Sequence, residues 1–341
     1  MTKRTRLFLF ISGGIMVVGL GTGLVAAYRG GFQNLTLIGG SPGPEELAYV
    51  PADSRMVAFA NIREIMDSEL HQKLKALQPR SGDGLAKFEA ETGVDVTRDV
   101  DSVVATFSQS QEHTPPLVFV RGRFDAVRIE GLVRSKGGLV EDYKGVRLLI
   151  HPEAKTESAV AFLEPGLLAV GGAPAVRSAI DLAKTGGASI TGNDEVMRLV
   201  RDADTGNAWA VARFDSLAAG RIPAEVAKRL PPINWVTVTG QVNGGLHAAI
   251  RAETRDEAAG KDLRDVIQGM VALAKLQSGQ RAELAAVINS VELGGDGKNV
   301  TLSLAVPMQA IDVLAGMRAP RPGARAVEPV PAPEPPATAA R

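Results

Sequence analysis

The run Leu7–Ala27, LFLFISGGIMVVGLGTGLVAA, is 21 residues long and carries no charge. At about 1.5 Å per residue, a helix of that length matches a hydrocarbon core of about 30 Å. Lys3, Arg4 and Arg6 stand just before it, and no comparable basic cluster follows. The positive-inside rule then keeps the N-terminus cytoplasmic and sends the rest of the chain across. On this reading residues 1–29 are a transmembrane anchor or signal segment in the cell inner membrane, single-pass, with the body on the periplasmic side. A cleavable signal peptide is the competing reading. Its apolar stretch is usually about 7–15 residues, shorter than this one, although Val25-Ala26-Ala27 makes a small-residue cleavage site before Tyr28. Within the run, Gly19 and Gly23 form a small-xxx-small pair of the kind that brings membrane helices close.

The chain contains no cysteine. That excludes disulfide frameworks, thiolate zinc sites, iron–sulfur ligation, cysteine nucleophiles and attachment through an acylated cysteine. Of 38 basic and 38 acidic residues, eight basic and two acidic ones lie in 1–29 and 318–341, so the stretch 30–317 has a net charge near −6. A mildly acidic body is a poor polyphosphate binder, and nucleic acid is not an expected partner.

Residues 30–44 are rich in Gly, Ser and Pro and read as a flexible tether. Residues 317–341 alternate prolines (Pro329, Pro331, Pro333, Pro335, Pro336) with alanines and read as a disordered tail. Between them the pattern is mixed. Met56–Ala60 reads as a strand, and Ile65, Met66, Leu70, Leu74 and Leu77 share one face of a helix that Pro79 ends. A shorter helix spans Leu85–Thr92. Ser102–Ser108 and Leu117–Arg121 read as strands, and Asp125 caps a helix that runs to Lys136. Val146–Ile150, Ala159–Leu163 and Leu167–Val170 follow as strands, then a helix Ala173–Lys184.

A second series begins with the strand Asn207–Phe214 and a helix from Asp215 to Leu230. Asn243-Gly244-Gly245 joins Trp235–Val242 to Leu246–Glu253 as a hairpin. Thr254-Arg255-Asp256-Glu257 reads as a capping box, opening a helix with Leu263, Val266, Ile267, Met270 and Ala274 on one face. Ser290–Leu293 and Asn299–Val306 flank Gly294-Gly295-Asp296-Gly297 as a second hairpin. Both series run strand, helix, hairpin, helix, hairpin, helix, and RMVAFANIREIM resembles AWAVARFDSLA. The expectation is an α+β fold of two similar units, 45–190 and 191–316, each a largely antiparallel sheet with helices packed on one face.

Competent chemistry is scarce. Asp95, Asp99 and Asp101 are the densest carboxylate group and the only metal candidates, because three carboxylates suit a hard cation or an acid–base pair. Arg98 among them, and the lack of EF-hand spacing, favour capping and solvation instead. Gly39-Gly40-Ser41-Pro42-Gly43 matches G-x-S-x-G but lies in the tether, without the strand and helix that a nucleophile elbow needs. His71, His113, His151 and His247 have no metal-ligand spacing and read as surface histidines. Asp202 and Asp204 begin a D-x-D, but Arg213 stands where an EF-hand needs glutamate. Gly171-Gly172 reads as a turn rather than an anion cradle, and Trp209 and Trp235 as sheet packing. No cofactor and no catalytic residue are expected.

The segments ELAYVPADSRMVAFANIREIM and KFEAETGVDVTRDVDSVVATF, with the later GNDEVMRLV, resemble uncharacterised exported bacterial proteins that are membrane-anchored and have a duplicated α+β body. The resemblance spans Glu45 to Ala315 and implies compartment and architecture, with no catalytic residues. The leading expectation is a non-enzymatic envelope protein, bound to the membrane through 7–27, that binds or scaffolds another envelope component such as a protein partner. The alternatives are a carrier for an apolar small molecule or lipid, and a hydrolase using the carboxylates of 95–101.

Overall fold

The computed structural model describes residues 43–77, 82–108, 116–151, 157–218, 230–242, 244–278 and 288–308. The expected anchor, all of the tether before Gly43, Ser41, His113, Asn243 and the 317–341 tail lie outside them. No helix among the described residues is long and apolar enough to cross a membrane.

Twelve strands form one continuous sheet. They are β1 (Ser54–Asn61), β2 (Val100–Ser108), β3 (Leu117–Gly122), β4 (Leu139–Tyr143), β5 (Val146–His151) and β6 (Ser158–Glu164), then β7 (Leu167–Gly172), β8 (Ala208–Arg213), β9 (Ile233–Gln241), β10 (Gly245–Thr254), β11 (Glu292–Gly294) and β12 (Asn299–Pro307). Their order is β11-β12-β10-β9-β8-β1-β2-β3-β7-β6-β5-β4, with every neighbour antiparallel. Outward from the central β1–β8 pair, one wing reads β1-β2-β3-β7-β6-β5-β4 and the other β8-β9-β10-β12-β11.

Nine helices accompany the strands in the described residues: α1 (Ile62–Asp67), α2 (Glu69–Leu77), α3 (Gly82–Thr92), α4 (Val96–Asp99), α5 (Ala126–Ser135), α6 (Ala173–Thr185), α7 (Asp194–Ala203), α8 (Phe214–Ala218) and α9 (Glu257–Ser278). The single helix expected after β1 is two. Ser68 leaves helical geometry with ψ 147°, its hydroxyl donates to the Ile65 carbonyl, and it then accepts from the His71 amide to start α2. Asp125 caps α5 as expected. The cap of α9 is Asp256, which accepts from the Ala259 amide, while Thr254 donates to the carbonyls of Asp256 and Lys298 instead. The strand β4 and the helices α4 and α7 were not expected.

Helices cover both faces of the sheet, not one. On the first face Val57, Phe119, Leu148, Ala161 and Ala169 pack against Val176 and Ile180 of α6 and Val196 and Val200 of α7. On the second, Val118, Val120, Leu149 and Val170 pack against Ile65 of α1, Phe88 of α3 and Ile129 of α5. The physical reason lies in β3 and β5–β7, where Leu117–Val120, Leu148–Ile150, Ala159–Leu163 and Leu167–Val170 are apolar at every position, so both faces need a cover. α9 lies on the second face, where Leu263 and Ile267 meet Ala252 and Val300.

Phe119 is fully buried at the centre of the first face. Replacing it with alanine should lower the unfolding free energy by about 3–5 kcal/mol, read as a lower urea midpoint. Val127→Ala, at a position 83% exposed, should leave the midpoint unchanged.

Candidate functional site

The three aspartates occupy two places. Asp95 caps α4: its carboxylate accepts from the Thr97 amide at 2.9 Å and the Thr97 hydroxyl at 2.7 Å. Asp99 closes the same turn, accepting from the Asp95 amide at 2.9 Å and from Arg98 Nε at 3.2 Å. Burial opposes ionisation of Asp99, but Arg98 and the Asp95 amide outweigh it and hold the carboxyl below the usual range. Asp101 lies two residues on, in β2, and accepts from Arg63 Nε at 2.7 Å. Among the described residues no group of three or more His, Cys, Asp or Glu is placed to hold a metal ion.

Asp101 and Arg63 line an open cleft of about 490 Å³ with Glu45, Asn61, Ser102 and Arg121. Arg121 is a charge inside the apolar run LVFVRG, and that was the sequence signal for this place. Its guanidinium bridges Glu46 and, at 2.9 Å, Glu164. Burial works against the charge on Arg121, but the two carboxylates prevail and raise its pKa. Glu46 is 4% exposed, so the bridge pins the segment Glu45–Tyr49, whose Leu47 is buried with it, to β3.

A second ionic cluster sits on the first face of the other wing. Glu253 of β10 is buried and accepts from Arg198 of α7 at 2.7 Å and Lys298 at 2.8 Å. Asp202 in turn holds Arg251 at 3.3 Å. Burial raises the pKa of Glu253, but the bonds from Lys298 and Arg198 outweigh it and the net shift is downward. The expected D-x-D therefore serves packing, since Asp204 accepts from Trp209 Nε1 at 2.9 Å. Trp209 stacks on Phe59 with ring centroids 5.8 Å apart, and Trp235 lies under Arg213. Both tryptophans are buried, as read from sequence. His151 is buried too, against expectation, and His247 is half-buried with its pKa lowered by desolvation. At Gly171 a side chain would stand 2.8 Å from the Pro116 carbonyl, so that glycine marks a close strand approach.

One apolar surface stays open. Leu263 of α9 is 3% exposed, but Val266, Met270, Leu273 and Leu276 are 38%, 64%, 56% and 81% exposed. The expected core face is thus only half used. Gly260 abuts the Gly297 carbonyl, Arg264 donates to the carbonyls of Gly297 and Asn299, and Ile267 packs with Leu293. The helix therefore runs along β12 in the direction of β12, toward its Pro307 end. From Gln268 to Leu276 none of its residues is buried. Spacings of four and three in Val266, Met270 and Leu273 make the open surface a stripe.

No protein family matches the chain, and no curated protein matches it. Among solved structures, crystal form III of TP0453 is similar with a TM-score of 0.47 and 9% identity, covering 81% of this chain and 100% of that one. Crystal form I of TP0453 gives 0.44 and 10%, covering 80% and 96%. Likeness at that level carries no argument about this chain.

Acid should weaken the Glu253 cluster. The folded pKa of Glu253 is depressed, so its contribution is fully present above the unfolded value of about 4.3 and fades as pH falls through the folded one. Glu253→Gln should cost about 1–2 kcal/mol at pH 7, because half-exposed Arg198 and Lys298 re-solvate. It should also flatten part of the decline in urea midpoint between about pH 5 and about pH 3.

Proposed function

We propose that this is a membrane-anchored envelope protein, held by residues 7–27 with its body on the periplasmic side. In this reading the body binds or scaffolds another envelope component rather than catalysing a reaction. The observation that carries it is the open stripe Val266, Met270, Leu273 and Leu276 on α9. A contiguous apolar patch of this kind marks an interaction site on a soluble surface. The carboxylates of 95–101 support it from the other side, since each already caps a helix turn or pairs with an arginine. We also infer that the two wings descend from one duplicated unit. Reading outward, both wings place three successive strands and then the later ones in reverse, the first wing with four of these and the second with two, and α5 and α9 each stand after the third strand of their wing.

Native mass spectrometry of the full chain, extracted from its own membrane in mild detergent, tests this. The expected result is an intact mass that includes residues 1–27, together with a stoichiometric second component. A mass lacking 1–27 would overturn the anchor. A co-purifying mass of small-molecule size would favour the apolar-ligand carrier instead, and a retained anchor on a bare monomer would count against scaffolding.

A further inference from the structure

The cross-sheet register aligns Ala60 of β1 with Ala208, Gly240, Ala248 and Leu304 in turn. The Asn61 end of β1, the β9–β10 turn and the Pro307 end of β12 therefore share one long edge of the sheet. The described chain begins at that edge, where Pro44, Glu45 and Glu46 line the cleft beside Asn61. The second half of α9 points toward the same edge. Met270, Leu273 and Leu276, on the second face, are thus carried toward the same strand-end edge as the N-terminal segment, which packs on the first face.

From these placements we propose that the open stripe of α9 docks on the bilayer surface, as an interfacial helix half. This rests on the reading of residues 7–27 as a retained anchor; it gives the stripe to lipid in place of a protein partner, which would then bind the body elsewhere. Residues 28–42 span at most about 50 Å even when extended, at 3.3–3.6 Å each. The body cannot stray far from the membrane, and docking of the stripe would turn its tethered edge toward it. Around α9 the apolar arc runs from Leu276 through Leu273, Val266 and Met270 to the sheet-facing Ile267 and Ala274. Gln268 and Lys275 occupy the opposite, exposed side, while Asp262 and Asp265, in the first half of the helix, stand in line with Leu273 and Leu276. A helix with such an arc buries its apolar side about 5–10 Å into the headgroup boundary and keeps its polar side in water. Docking removes from water the side chains that the sheet leaves uncovered, and it fixes the orientation of the cleft at Arg121 close to the membrane.

The absence of native cysteine allows single-site labelling of the full chain. Tyr28→Cys, Lys136→Cys, Met270→Cys and Leu273→Cys variants would each carry a nitrobenzoxadiazole label. They would be reconstituted in phosphatidylethanolamine–phosphatidylglycerol vesicles, with and without a shallow nitroxide-labelled lipid. Lys136 is exposed at the end of α5 and serves as the solvent reference. The expected result is blue-shifted emission, with fluorescence lost to the nitroxide, at 270 and 273 and at 28, and neither effect at 136. Solvent-like emission at 270 and 273 with quenching at 28 overturns the docking and leaves the anchor standing. A blue shift without quenching at 270 and 273 means that protein covers the stripe, whether a second copy or another chain, and also overturns it. No quenching at 28 removes the anchor and this inference together.

Discussion

The antiparallel pairing of β1 with β8 is the contact on which the remaining architecture depends. It turns two wings into one sheet, and its register aligns Met56, Ala58 and Ala60 with Ala212, Ala210 and Ala208. On the first face Phe59 stacks on Trp209 across the seam, and Asp204 fixes the indole by accepting from its N–H. Such an aromatic pair adds about 0.5–1.5 kcal/mol beyond the area it buries. Asn207 ties the seam at its end, accepting from the Val242 amide and donating to Glu64. Helix α7 ends just before β8 and packs on both wings, so the first-face core is continuous where the two halves meet.

Charge is spent on fastening segments to this sheet. Arg121 draws the Glu45–Tyr49 segment onto β3, and Glu253 draws α7 and the β11–β12 hairpin onto β10. In each case a nearly buried carboxylate is matched by partly exposed cations, which limits the desolvation cost of the pair. The polar side of the second wing, His247, Arg251 and Glu253 on alternating positions of β10, is the sequence trace of that arrangement.

Much of the fold was legible because its signals are local. Turn chemistry gave the β9–β10 and β11–β12 hairpins, and alternation separated Val300, Leu302, Leu304 and Val306 from Thr301 and Ser303. What failed was information that only the assembled sheet contains. The segment LVEDY became an edge strand with three exposed residues, so neither alternation nor an apolar run announced it. Asp95, Asp99 and Asp101 are close in sequence, but one helical turn joins the first two while the strand sends the third to Arg63. Periodicity in α9 grouped Leu263, Val266, Ile267 and Met270 correctly on one side. It carried no information on how far the short strand β11 would extend beneath them.

The β1–β8 seam also sets an order of events during folding. Ala58 and Ala210 are about 150 residues apart in the chain, whereas the β4–β5, β6–β7 and β9–β10 hairpins farther out close over two or three residues. Each wing can acquire its local strands early, but until the seam closes it presents an unpaired edge lined by small apolar residues. Two partly folded chains that meet present the same two edges to each other. An exchanged seam, β1 of one chain on β8 of the next, would satisfy the same hydrogen bonds. The alanine-lined joint that unifies the body is therefore also the place where folding and entanglement of neighbours compete.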